Sequence, residues 1–294
     1  NSLAVSVLNN LDSRASGAIN ASSINTLTGA AADLNTAYGS SGISNLGNEA
    51  VTLTDTSLNA SVLNALDGRT SGAINASSIN TLSGSAADLN TAYTAYGNGS
   101  ITGLGNEAVS VTGAVTTSQA NTLAAATSGV VTATISDGDM ATLAGLTETG
   151  NAYSITITDN SVAAAALNTL DGKTSVAINA SNITTLTGAA ADLNTAYTAN
   201  GNGTISGLGN EAATLSDTSL AVSVLNDLDG NTSGTIDATA ITTLTGAAAD
   251  LITAYDSSGI SNLGDEAITL TDTSLTAAVL NPLDANTSGT VDAT

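Results

Sequence analysis

Aspartate, asparagine and serine alternate in Asp229-Gly-Asn231-Thr-Ser233-Gly-Thr-Ile-Asp237 and again in Asp284-Ala-Asn286-Thr-Ser288-Gly-Thr-Val-Asp292. Oxygen-bearing side chains therefore stand at the first, third, fifth and ninth places of each stretch, with glycine sixth and an apolar residue eighth. Calcium takes roughly six to eight oxygen ligands, and loops with this spacing supply them. These eight residues are the candidate metal ligands of the chain, and calcium is the one cofactor the sequence suggests. The pattern lapses at the twelfth place, where an acid would complete the cage and Ala240 stands instead; Ser23 and Ser78 hold that place in earlier copies.

The three basic residues sharpen the question. Arg14, Arg69 and Lys173 all occupy the third place, where the two candidate loops carry Asn231 and Asn286. Where that place is basic, the ninth is neutral, as Asn20, Asn75 or Asn179; where it is asparagine, the ninth is Asp237 or Asp292. A fixed side-chain charge in some copies would stand in for a bound cation in the others. The alternative is an ordinary solvated turn whose charges pair locally.

Other acids fall in rows: Asp33, Asp88, Asp192 and Asp250; Glu49, Glu107, Glu211 and Glu266; Asp55, Asp217 and Asp272. Acid–base catalysis needs one carboxylate set apart by its surroundings. Here the same geometry recurs in each copy, so capping and solvation are the expected roles, and no residue is read as catalytic. The chain has no histidine and no cysteine, which removes thiolate metal sites and disulfides. An enzyme is not expected.

Rows of this kind arise because one segment is written repeatedly. LNNLDSRASGAINASSINTLTGAAADLNTAY begins at residue 8 and returns near 63, 167 and 225, with a last start at 280. The LD aspartates are Asp12, Asp67, Asp171, Asp229 and Asp284, in steps of 55, 104, 58 and 55 residues. A fixed period of this size means that each unit buries its apolar face against the next. Two patterns alternate within a unit. Ile24, Leu27, Ala31, Leu34 and Tyr38 have the spacing of one helical face, although Gly29 sits inside it, so two short helices hinged there are the alternative to one. Leu193 of a later copy should face inward on this scheme, and Asn194 outward. Val51 and Leu53 alternate as in a strand, followed by a helix bearing Leu58, Val62 and Leu66 that Asp55 or Ser57 can cap. Short strands are expected at 72–76 and 42–47. The predicted fold is an α/β repeat solenoid of short parallel strands and short helices, with a parallel β-helix as the alternative. Residues 1–113 hold two repeats, 114–160 an aberrant shorter one, and 161–294 two more and the start of another. A three-residue insertion after TAY, in TAYTAYGNG and TAYTANGNG, reads as a longer surface loop.

Composition limits partners. Of the 294 residues 42% are hydrophobic, enough for a core, but there is no Phe or Trp, so that core must be thin and aliphatic. A net charge of −22 repels phosphate backbones and anionic lipid, so no nucleic acid is expected, and a saline exterior would screen the self-repulsion. No apolar run is long enough for a transmembrane segment. The chain starts and stops inside a repeat, as a window of a longer polypeptide would. The phrases LGNEAVTLTDTSL, LNALDGRTSGAINAS and TLTGAAADLNTAY resemble the tandem repeats of giant secreted cell-surface proteins of cyanobacteria, a family that includes swimming-motility and surface-layer types. The resemblance implies type I export and a place on or outside the outer membrane, and no active site. The glycine-rich nonapeptide calcium repeats of that export class are absent, so it adds nothing to the calcium reading. The expected function is an extracellular structural repeat protein forming a fibre, sheath or spacer. Its partners would be neighbouring repeats of the same long chain or other copies by self-association. The alternative is a calcium-dependent adhesin holding a glycan or another surface through its loops or its threonine-rich strands.

Overall fold

A computed structural model describes residues 1–293. Thr294, the final residue of the last partial copy, lies outside the described residues. Eleven helices occur among the described residues: α1 Val5–Arg14, α2 Ala31–Gly39, α3 Ala60–Asp67, α4 Ala86–Asn98, α5 Thr117–Ala124, α6 Met140–Leu143, α7 Ala164–Asp171, α8 Ala190–Asn202, α9 Val222–Asn231, α10 Ala248–Asp256 and α11 Ala277–Asn286. Every pairing between named strands is parallel. The fold is thus α/β, and a purely β coil is excluded by the helices. The chain divides into two compact units, residues 1–136 with 146–154, and residues 137–145 with 155 onward. The aberrant stretch contributes to both.

In the first unit, strands Ser2–Ala4, Thr26–Gly29, Ala50–Leu53, Ile74–Asn75 and Ile101–Thr102 pair in that order. The register puts Leu3 against Leu27, Leu27 against Val51, Val51 against Ile74 and Ile74 against Ile101. In the second unit Val162, Leu186, Ala213, Ile236 and Ile260 line up in the same way. Period-2 alternation dictates this, because a slip of one residue would turn every apolar side chain out of the core. A helix lies between successive strands of each row. Leu27, Leu34, Leu63, Leu82 and Leu89 are fully buried, giving the thin aliphatic core that the composition requires.

Several expectations change. Leu27 lies in strand Thr26–Gly29, and the helix begins only at Ala31, burying Ala31, Leu34 and Ala37. The helical spacing of Ile24 and Leu27 is therefore a coincidence of a strand running straight into a helix. Gly29 ends that strand and is not a helix interior; a β-carbon there would overlap the Val5 side chain. The three-residue insertion lengthens no loop: it extends α4 and α8 to 13 residues, against 9 in α2 and α10, and each long helix stops at a left-handed glycine, Gly99 or Gly203. Asp55 is a cap, but of the preceding helix. Its Oδ2 accepts from the Ala31 N–H at 2.8 Å, as Asp217 does from Ala190 and Asp272 from Ala248, both at 2.7 Å. Asn59 caps α3. Asn194 is not idle either, since its Nδ2 donates to the Val224 carbonyl at 3.0 Å.

Candidate functional site

The four glutamates of the Leu-Gly-Asn/Asp-Glu loops form the most distinctive polar site. Glu49, Glu107, Glu211 and Glu266 are each at most 1% exposed, so their expected solvated role is wrong. A carboxylate is tolerated inside only when hydrogen-bonded, and the loop before each one provides donors. Glu49 Oε2 accepts from the N–H groups of Gly47 at 2.8 Å and Asn48 at 3.2 Å; Glu107 and Glu211 repeat the arrangement with Gly105 and Asn106, and with Gly209 and Asn210. Glu266 accepts from Gly264.

A tyrosine near the end of each AADLNTAY or AADLITAY segment completes the site. Tyr38 donates to Glu49 at 3.1 Å and Tyr255 to Glu266 at 3.0 Å, and Tyr93 donates to Glu107. In the fourth copy the geometry is looser, and neither the Tyr197 hydroxyl nor Glu211 Oε1 has a hydrogen-bond partner. Burial, with the adjoining glutamate charge adding to it, pushes the Tyr38 and Tyr197 hydroxyls up to about 12. Tyr93 is raised by burial and then by its bond to Glu107; Tyr255 is raised by burial and then by the Glu266 charge. The phenols therefore stay protonated donors, and the arrangement moves no proton near neutrality.

Each glutamate also anchors the following turn. Its backbone carbonyl accepts from Thr70, Thr127, Thr232 or Thr287 at 2.7–3.0 Å. Two residues on, a β-carbon at Gly72, Gly129, Gly234 or Gly289 would overlap that glutamate's backbone, so glycine is required. Val176 occupies this place only in the copy that follows the aberrant stretch, where no Leu-Gly-x-Glu loop precedes it.

The candidate calcium ligands are distributed otherwise. Asp229 and Asn231 belong to the last turn of α9, and Asp284 and Asn286 to the last turn of α11, so the expected loop is a helix end. Asp229 Oδ2 accepts from Ser257 Oγ at 2.7 Å, and Asn231 donates to Asn194 Oδ1 at 2.9 Å. Ser233 donates to the Gly209 carbonyl. Asp237 lies in the strand Ile236–Asp237, accepting from Thr239 and from Asn262 Nδ2 at 2.8 Å; hydrogen bonds from Thr239 and then Asn262 hold its carboxyl below the ordinary value. Ser288 donates its N–H to the Gly264 carbonyl, and Asp292 lies in strand Val291–Asp292. No group of three or more His, Cys, Asp or Glu gathers as a metal cluster among the described residues. The two covarying places face different neighbours: Arg69 packs beside Gly39, whereas Asn20 accepts from Asn45 as Asp237 does from Asn262. Nothing in these contacts explains why their charges vary together.

The Asp33 row occupies the first turns of α2, α4, α8 and α10, where the helix dipole favours it. The Asp33, Asp88, Asp192 and Asp250 carbonyls accept from Asn9, Asn64, Asn168 and Asn226, each at 2.9 Å. The buried glutamates were legible in principle: tyrosine precedes glutamate by 11 residues in short copies and by 14 where the helix is longer. Among the described residues no helix is long and apolar enough to cross a membrane. No family model, curated protein or solved structure matches the chain.

Proposed function

We propose that this chain is part of an extracellular structural repeat protein, an α/β solenoid acting as a fibre, sheath or spacer at the cell surface, of the kind its phrases resemble in cyanobacteria. The observation that carries this reading is the recurrence of one set of contacts. Asn9 to Asp33, Asn64 to Asp88, Asn168 to Asp192 and Asn226 to Asp250 are the same bond with the same 24-residue reach. A site with a chemical task must differ from its surroundings, whereas these contacts do the same work in each copy and join each copy's two helices. Such repetition suits a protein whose product is length. The acidic surface keeps separate fibres apart until further repeats or other copies associate.

Small-angle scattering and negative-stain imaging of this chain and of a tandem duplicate test the proposal. The duplicate should have the same width and about twice the length. A particle whose three dimensions grow together would overturn the solenoid reading.

A further inference from the structure

The second copy differs from its siblings at two polar positions that line one cleft. The aspartate ending the LD pair normally accepts a hydroxyl: Asp12 from Ser40 at 2.6 Å, Asp171 from Thr204 at 2.9 Å and Asp229 from Ser257 at 2.7 Å. In the second copy Asp67 Oδ1 is shielded from solvent and has no hydrogen-bond partner, and Ser100, the counterpart of Thr204, turns its hydroxyl to the Ala95 carbonyl instead. The mid-helix asparagine normally reaches the next helix, Asn35 to the Val62 carbonyl at 3.1 Å and Asn194 to that of Val224 at 3.0 Å. The next helix after Asn90 is α5, from the aberrant stretch, and the Asn90 amide makes no hydrogen bond among the described residues. Leaving such groups unmatched near the surface is unfavourable by about 1–3 kcal/mol each unless something meets them.

Both residues line a cleft of about 380 Å³ with Thr91, Thr94, Asn98 and Ser100. That size is within the range of small-molecule sites. Its chemistry is selective. There is no basic side chain to hold an anion and no aromatic ring for a base to stack on. A single carboxylate is too little for a dedicated calcium cage, which needs several hard oxygen ligands. What remains is one carboxylate that accepts two hydrogen bonds side by side, two amides that donate and accept, and three hydroxyls. This set matches adjacent hydroxyl groups on a neutral sugar ring. We propose that the Asp67–Asn90 cleft is a saccharide-binding site, with Asp67 receiving a pair of neighbouring sugar hydroxyls and Asn90 and Asn98 fixing the ring. The site does not depend on the fibre reading: a compact particle in scattering would leave it standing.

Amide chemical shifts of the isotope-labelled chain, followed during separate titrations with glucose, galactose, mannose, N-acetylglucosamine, calcium chloride and putrescine, test this. At least one sugar should move the Thr91, Thr94, Asn98 and Ser100 amides saturably while leaving Thr195 and Thr198 still. Asp67→Asn and Asn90→Ala should each weaken that sugar at least about tenfold, the loss of one charge-assisted or well-placed hydrogen bond, and Asp171→Asn should not. Thermal melts of each variant identify any that fails to fold; if one does, the other decides the matter. Absence of shifts with every sugar, shifts that survive the substitutions, or shifts caused only by putrescine or calcium would overturn the proposal.

Discussion

Alkali should undo this protein through its buried phenols. Tyr197 is 5% exposed and Tyr153 1%, and burial raises each from 10.0 to about 12, helped by the charge of Glu211 and Glu148 respectively. In the unfolded chain these hydroxyls ionise near 10. Between 10 and 12 the native state holds a proton that the unfolded state has released, so unfolding becomes easier as pH rises. The contribution is intact below pH 10 and lost by about pH 12. At 1.36 kcal/mol per pKa unit, two units correspond to about 2.7 kcal/mol for each of these two tyrosines. Tyr38, Tyr93 and Tyr255 are raised as well and act in the same direction. Since a domain is typically stable by only about 5–15 kcal/mol, the losses suffice to bring the transition within reach. Tyrosinate absorbance and far-ultraviolet circular dichroism, recorded on the same samples from pH 8 to 13, should change together in a steep step above pH 10. Tyr197→Phe should flatten the pH dependence of the second unit's melting point. Gradual ionisation of the buried tyrosines near pH 10 with the helical signal unchanged would refute the reasoning.

Leu193→Asp places a charge at a position with no exposure and should unfold the second unit, a loss above about 4 kcal/mol; Asn194→Asp should cost a more modest 1–3 kcal/mol or so by removing the donor to Val224, and melting curves separate the two. Gly234→Ala should destabilise because its β-carbon meets the Glu211 backbone, whereas Gly230→Ala, open to space within α9, should be neutral or stabilise by up to about 1 kcal/mol. Asp272→Ala should weaken α10 by about 0.5–2 kcal/mol although it lies outside that helix, read as faster amide exchange at Ala248. Calcium should leave the melting midpoint unchanged, since Asp229 and Asp237 already bond to different partners; a saturable rise abolished by Asn231→Arg with Asp237→Asn would restore the cation reading.

Much of the fold was written in the repeats. Their period, and alternating residues such as Val51 and Leu53, specified parallel strands and helices that bury one face. The boundary at Ala31 was hidden because Leu27 and Ala31 are four apart, a spacing shared by a strand running into a helix and by one continuous helix. The caps were found by residue type but given to the wrong helices, because Asp55 is close in sequence to α3 and close in space to the start of α2. The buried glutamates escaped notice because glutamate next to glycine and asparagine is ordinarily a wet turn, and only its tyrosine partner 11 or 14 residues earlier marks it otherwise. The free groups at Asp67 and Asn90 could not be seen in a sequence where both match their siblings; they are released by what Ser100 and the aberrant stretch fail to offer.

The cap from Asp55 to Ala31 has a direction. The first N–H of α2 waits for a carboxylate 24 residues later, and α8 waits for Asp217, 27 residues later. The Asn9 bond to Asp33 and the Thr70 bond to Glu49 likewise join each turn to the one after it. A chain emerging residue by residue from a ribosome or an export channel therefore cannot finish a coil when its last residue appears. Completion lags behind emergence by one further coil, and a growing end is always half-made. Such an end stays pliable enough to pass through a narrow conduit, while everything more than a turn behind it has set.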